Sequence, residues 1–173
     1  MRFQFDRFKK ENWDIEHIRS QNDKKPIKKA DKKDWLDDIE SLNLEALINI
    51  DKEDIIEDKQ SEAFNTLYET IEKEFGEDKV FDKASISNLA LLDAGTNRSY
   101  KNAFFPIKRN IILQNDMNGI FIPICTRNAF VKYYTKNIQD IRTWKEEDAE
   151  DYLNAIKITL KNYLPNQDVE NAE

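Results

Sequence analysis

Trp13-Asp14-Ile15-Glu16-His17-Ile18 decides how the rest of the chain is read, because it holds the only histidine among 173 residues. The stretch is short and rich in β-branched and aromatic residues, so it reads as a strand. Trp13, Ile15 and His17 then share one face, with Asp14, Glu16 and Ile18 on the other. A carboxylate directly before a lone imidazole is half of what metal-assisted hydrolysis requires. The other half is a further oxygen ligand, a phosphate-binding surface and a scaffold that unites them.

The chain is long enough for one domain with its own core, and a second independent domain is not expected. Charged residues make up 35% and there are only 3 glycines and 4 prolines, which points to an α+β, predominantly helical protein rather than an all-β one. The net charge of -7 is segregated along the chain. Residues 1–33 carry eleven Lys/Arg against six Asp/Glu, residues 34–82 carry seventeen acids against four lysines, and residues 98–109 carry four bases and no acid. Two basic segments can thus share a face that suits a polyanion. Cys125 stands alone among apolar neighbours and reads as a buried thiol in a reducing compartment. Without a signal-peptide core or a membrane-length apolar run, the expectation is a cytoplasmic chain with no membrane partner.

Outward from the central stretch, residues 2–8 alternate as a short strand or an extended lead-in, and 22–33 read as an exposed basic loop. The spacing predicts helices across 34–76: Trp35, Ile39 and Leu42, continued by Leu44, Leu47 and Ile48, then Phe64, Leu67, Tyr68, Ile71 and Phe75. Ile86 to Leu92 reads as a second strand and Asp93-Ala94-Gly95 as a turn. Thr96 is the expected cap of a helix to Phe104, and residues 107–114 form another. Thr126 is expected to cap a helix to about Lys136, and Thr143 with Glu146 a capping box for the last one. Trp35 and Trp144 are expected core anchors, and 165–173 a frayed tail. No Gly-rich phosphate loop is present, which disfavours nucleotide hydrolysis within this chain.

The order is strand with Glu16-His17, helical insertion, strand with Asn88, turn, and helix with Asn97 nine residues after Asn88. In this order and in Asn97-Arg98 the sequence resembles the HNH (His-Me finger, ββα-metal) endonucleases over about residues 12–22 and 86–105. Across nearly the whole chain it looks like the C-terminal nuclease domain of GmrSD-type modification-dependent restriction proteins. Trp13 to Ile18, Asn88 to Leu92, Thr96 to Arg109 and Phe121 to Thr126 carry that resemblance. It implies a single HNH domain over 1–164, with a ββα-metal finger embedded among helices, an insertion at about 34–76, and C-terminal helices at about 126–164.

The resemblance also implies a division of labour. His17 is the expected general base, since an imidazole with a pKa near 6.5 can take a proton from water near neutrality. Glu16 and Asn97 are the expected metal ligands, and this oxygen donor set favours Mg²⁺ or Mn²⁺ over Zn²⁺. Asn88 belongs to the catalytic motif, where it ties the loop by backbone hydrogen bonds, with Asp14 and Asn102 in support. Arg98, Lys101, Lys108 and Arg109 are candidates for holding phosphates.

The expected activity is nicking of DNA in a restriction or anti-phage system. Cutting both strands would need two copies, as in a dimer, or two successive nicks. Relatives of this kind usually carry an N-terminal ParB-like nucleotide-binding domain, for which there is no room before residue 11, so that partner is expected in cis or in trans. The rival readings are a nuclease acting on RNA, and a non-catalytic module that keeps the fold and binds DNA or a protein.

Overall fold

A computed structural model describes residues 5–10, 12–20, 25–43, 56, 61–75, 82–100 and 103–163, without the side chains of 61 and 98–100. Its elements are α1 (Phe5–Phe8), β1 (Trp13–His17), α2 (Lys29–Glu40), α3 (Ser61–Phe75), β2 (Leu89–Asp93), α4 (Ala94–Tyr100), α5 (Phe105–Met117), α6 (Ile124–Phe130) and α7 (Glu146–Leu160). The protein is α+β and predominantly helical, and β1 and β2 form a two-stranded antiparallel sheet. Among the described residues no helix is long and apolar enough to cross a membrane. The expected stripe at 44–48, Gly76 and the tail at 165–173 lie outside the described residues.

The sheet register pairs Trp13 with Asp93, Asp14 with Leu92, Ile15 with Leu91, Glu16 with Ala90 and His17 with Leu89. Flanking bonds from Ile18 N to Asn88 O (2.8 Å) and from Ala94 N to Asn12 O (2.8 Å) extend the pairing at both ends. Directly opposed residues share a face, so Asp14, Glu16, Ala90 and Leu92 line one side. Glu16, Ala90 and Leu92 are buried there, whereas Ile15 on the other side is 66% exposed.

Among the described residues, the outer edge of β2 meets side chains rather than a third strand. Thr126 is fully buried; its Oγ1 donates to Leu91 O (2.7 Å) and accepts from Leu91 N (3.2 Å). The hydroxyl of Tyr152 lies 3.4 Å from Leu89 O, and burial pushes that phenol up to about 12, which keeps it a donor.

α3 buries Phe64, Leu67, Tyr68, Ile71 and Phe75, the stripe that its periodicity predicts. Trp35 packs at 5.4 Å from both Phe64 and Tyr68, and the buried Trp144 stands 5.7 Å from Phe105. Several expectations need correction. Residues 5–8 form a helical turn, not an extended lead-in, because Trp13 folds back to stack on Phe8 and donates Nε1–H to Phe8 O. The basic loop already turns helical at Lys29. Lys32 is buried with its ammonium 4.9 Å from the Phe64 ring centre, and Lys25 lies over Tyr68, so these two lysines serve packing through cation–π contact. The second strand begins at Leu89, since Ile86–Asn88 is a 3-10 turn capped by Ser85.

Three cap assignments also change. Asp93, not Thr96, caps α4: its Oδ1 accepts from Thr96 N (2.9 Å). A Cβ at position 95 would come within 2.9 Å of that oxygen, which explains the glycine. α6 starts at Ile124 with Thr126 inside it, and it ends at Phe130 because Lys132 adopts a left-handed φ of 58°. There Tyr133 N bonds Asn128 O and Lys132 N bonds Ala129 O, as in a glycine-type helix stop. The Lys132 ammonium is buried on Asp148 (2.8 Å) and Asp140 O (2.6 Å), which holds a lysine in a conformation that glycine usually takes. That same Asp148 accepts from Lys145 N (2.8 Å) at the start of α7, replacing the expected Thr143–Glu146 box. Cys125 is exposed, one position before the inward-facing Thr126, rather than buried.

Replacing Thr126 with the near-isosteric Val leaves both polar groups of Leu91 without their partner. The expected loss is about 1–3 kcal/mol in urea unfolding, with the helical circular dichroism retained.

Candidate functional site

The candidate site is built on β1, β2 and α4. Asn88 is completely buried, and its side chain clamps the chain just after β1. Oδ1 accepts from Arg19 N (2.8 Å), while Nδ2 donates to Arg19 O (2.9 Å) and Lys83 O (3.0 Å). Asn88 is therefore a positioning residue: all the groups it meets are main chain, and it fixes where β1 ends. Ser20, also buried, extends the anchorage by donating to Ala103 O (2.9 Å).

Asp14 and Glu16 project from the face of β1 that α4 and α5 cover, and their surroundings differ sharply. Glu16 is buried, and Lys108 Nζ lies 2.5 Å from its Oε1 and 2.7 Å from His17 O. Lys108 is itself 1% exposed, which corrects the expectation that it holds phosphate: no backbone of a nucleic acid can reach it. A lysine can occupy this depth only with its charge matched, and Glu16 matches it. Removing one member of such a pair typically costs about 3–5 kcal/mol, whereas replacing both with apolar or neutral groups is often close to neutral.

Asp14 is exposed, and across the gap from α4 the Asn97 Nδ2 stands 3.4 Å from its Oδ2. These two residues are 83 positions apart in the chain. The fold thus brings Asp14, Glu16 and Asn97 to one side of the sheet. Strand alternation puts His17 on the other side, half-buried beside the exposed Ile15.

Burial lowers the pKa of His17, the largest influence; Glu16 raises it and Lys108 lowers it. The imidazole is therefore held neutral to lower pH than usual. Because the folded value lies below the ordinary 6.5, the unfolded chain binds this proton more readily, so this contribution to stability declines as pH falls through 6.5.

Arg109 is half-buried, its pKa lowered by desolvation, and its Nε finds no hydrogen-bond partner among the described residues. It remains a candidate for an anionic ligand. The side chain of Arg98 and the residues Lys101 and Asn102 lie outside the described residues.

The donors fit a hard divalent cation. The Asp14 carboxylate and the Asn97 amide can supply oxygen, and Mg²⁺ or Mn²⁺ is commonly held by one or two carboxylates plus water and substrate phosphate. Among the described residues no group of three or more His, Cys, Asp and Glu side chains is gathered for a metal. Comparison of the chain with protein-family models, with curated proteins and with solved structures finds no match.

Lys108 and Thr126 are the residues whose roles sequence reasoning missed. The signal for Lys108 was present, since it falls in the apolar stripe of Phe104, Phe105 and Ile112, where a lysine requires a buried acid. The single histidine gives one set of imidazole NMR resonances. In metal-free protein they are expected to titrate with a midpoint below 6.5, with Lys108→Met moving it up and Glu16→Gln moving it further down. Urea unfolding is expected to show a loss of about 3–5 kcal/mol for Lys108→Met and a much smaller one for Lys108→Met with Glu16→Gln.

Proposed function

We propose that this chain is an HNH-type, metal-dependent DNA endonuclease that nicks phosphodiester bonds. The observation that carries the reading is the meeting of Asp14 and Asn97 on a strand–strand–helix frame, beside a strand that also carries Glu16 and His17. A carboxylate and an amide oxygen brought together from distant segments suit a hard cation, and the adjacent imidazole suits a general base. The resemblance in residue order to the His-Me finger nucleases supports the same reading.

In this proposal His17 accepts the proton of the attacking water on one side of the scissile phosphate. The oxygen donors of β1 and α4 lie on the other side. A metal held by those donors would supply positive charge at the phosphate and its leaving 3′ oxygen. Asn88 holds the end of β1 so that His17 and the carboxylates keep their register, and Arg109 offers a cation to a neighbouring phosphate. The biological setting is cleavage of foreign, modified DNA in a defence system, with recognition supplied by a ParB-like nucleotide-binding domain or protein.

Supercoiled plasmid incubated with the protein and Mg²⁺ or Mn²⁺ should convert to the nicked circle, and chelation should stop it. Folded His17→Ala should lose at least about a hundredfold in rate, the usual contribution of a general base. Unchanged nicking in that variant would refute the assignment, and preferential cleavage of RNA would redirect it.

A further inference from the structure

We infer that the divalent-cation seat of this protein is the Asp14–Asn97 pair, and that Glu16 is excluded from it by Lys108. The inference rests on the metal-dependent reading and deepens it by naming the residues that hold the ion. The resemblance alone would choose Glu16, the carboxylate next to the histidine. The charges around the two acids point the other way.

Glu16 already has its cation. An ammonium buried to 1% exposure lies 2.5 Å from its Oε1 and is tethered by a second bond to His17 O. A divalent ion at this carboxylate would have to sit beside a fixed positive charge, or else strip the buried Lys108 of its partner. Mg²⁺ also parts reluctantly with its water, and a buried, already neutralised carboxylate offers no room for the waters it keeps. Asp14 has the opposite properties. It is exposed, its charge has no cationic partner among the described residues, and the amide of Asn97 stands 3.4 Å from its Oδ2.

That gap suits a shared ion. The nitrogen and oxygen of an amide exchange places by a rotation of the side-chain end. The turned amide sets Asn97 Oδ1 toward Asp14 Oδ2 at a similar separation. Two oxygens each about 2.1 Å from a common cation can be up to about 4.2 Å apart, so the spacing requires little movement of either backbone. On the exposed Asp14 side, water and a phosphate oxygen would be free to complete the ion's shell. Glu16 then acts by anchoring Lys108 and, through it, the carbonyl of His17, which makes it a positioning residue rather than a ligand.

Mn²⁺ binding to the purified chain, measured by calorimetry and by loss of the free Mn²⁺ electron paramagnetic resonance signal, tests this without nucleic acid or turnover. Asp14→Asn and Asn97→Ala, with melting temperatures close to that of the parent, should each weaken binding by at least about tenfold. Glu16→Gln alone strands the Lys108 charge, so the informative variant is Glu16→Gln with Lys108→Met, which removes both charges together. That variant should stay folded and keep its Mn²⁺ affinity within about threefold, the scatter expected at an uninvolved site. Loss of Mn²⁺ binding in the double variant with retention in Asp14→Asn would overturn the inference, as would absence of saturable binding in the parent chain. Nicking assays separate the two levels. Metal-dependent nicking abolished by the double variant's loss of metal would leave the nuclease reading standing and move the ion back to Glu16. Mn²⁺ held by Asp14 and Asn97 with no cleavage of any nucleic acid would keep the seat and remove the nuclease.

Discussion

The ammonium of Lys108 fastens a helix to a strand through two adjacent residues. It belongs to α5, it neutralises Glu16 on the inner face of β1, and it bonds the outward-pointing carbonyl of His17. Both groups are buried, and neither charge could stay in the interior without the other. The position of α5 against the sheet, and hence of α4 just before it, follows from satisfying that one cation. Packing then fills in around it. Phe105 stacks on Phe130 at 5.5 Å and meets Trp144, which in turn meets Tyr152 of α7.

A second constraint is register. Strand pairing has a period of two, so a one-residue slip of β1 against β2 would turn Asp14 and Glu16 out and drive Trp13, Ile15 and His17 in. A two-stranded ribbon this short does not set its own register. Here the setting is done from the ends, by the Asn88 amide gripping Arg19 and by the bond from Ala94 to Asn12. The carboxylates and the imidazole therefore owe their places to a neutral side chain that touches none of them.

The legible parts of the fold were those governed by a single element. β1 and its two faces follow from six residues, and the buried stripe of α3 follows from 3.6-residue periodicity. The clamp role of Asn88 follows from an amide that has to satisfy main-chain groups near a strand end. What escaped were arrangements that depend on a partner far along the chain. Nothing local distinguishes a Thr126 that caps its own helix from one that serves Leu91, 35 residues away. Lys32 read as solvated because its neighbours are lysines and aspartates, yet α3 brings the Phe64 ring under it. Of the candidate site, the environments of the two acids on β1 were not legible. The sequence favours Glu16 as the ligand with Asp14 in support, and only the approach of Lys108 from α5 separates a neutralised acid from an exposed one.

The side chains along the sheet's margins have a consequence for how copies of this protein behave when crowded. A sheet of only two strands is all edge, and bare edges invite other chains to add on and polymerise. In this protein Leu91 spends both its main-chain groups on Thr126, Leu89 shares its carbonyl with Tyr152, and His17 gives its carbonyl to Lys108. Each plug is a single side-chain atom, too small to continue the ladder. The outer edge of β2 thus offers an incoming chain little to zip onto.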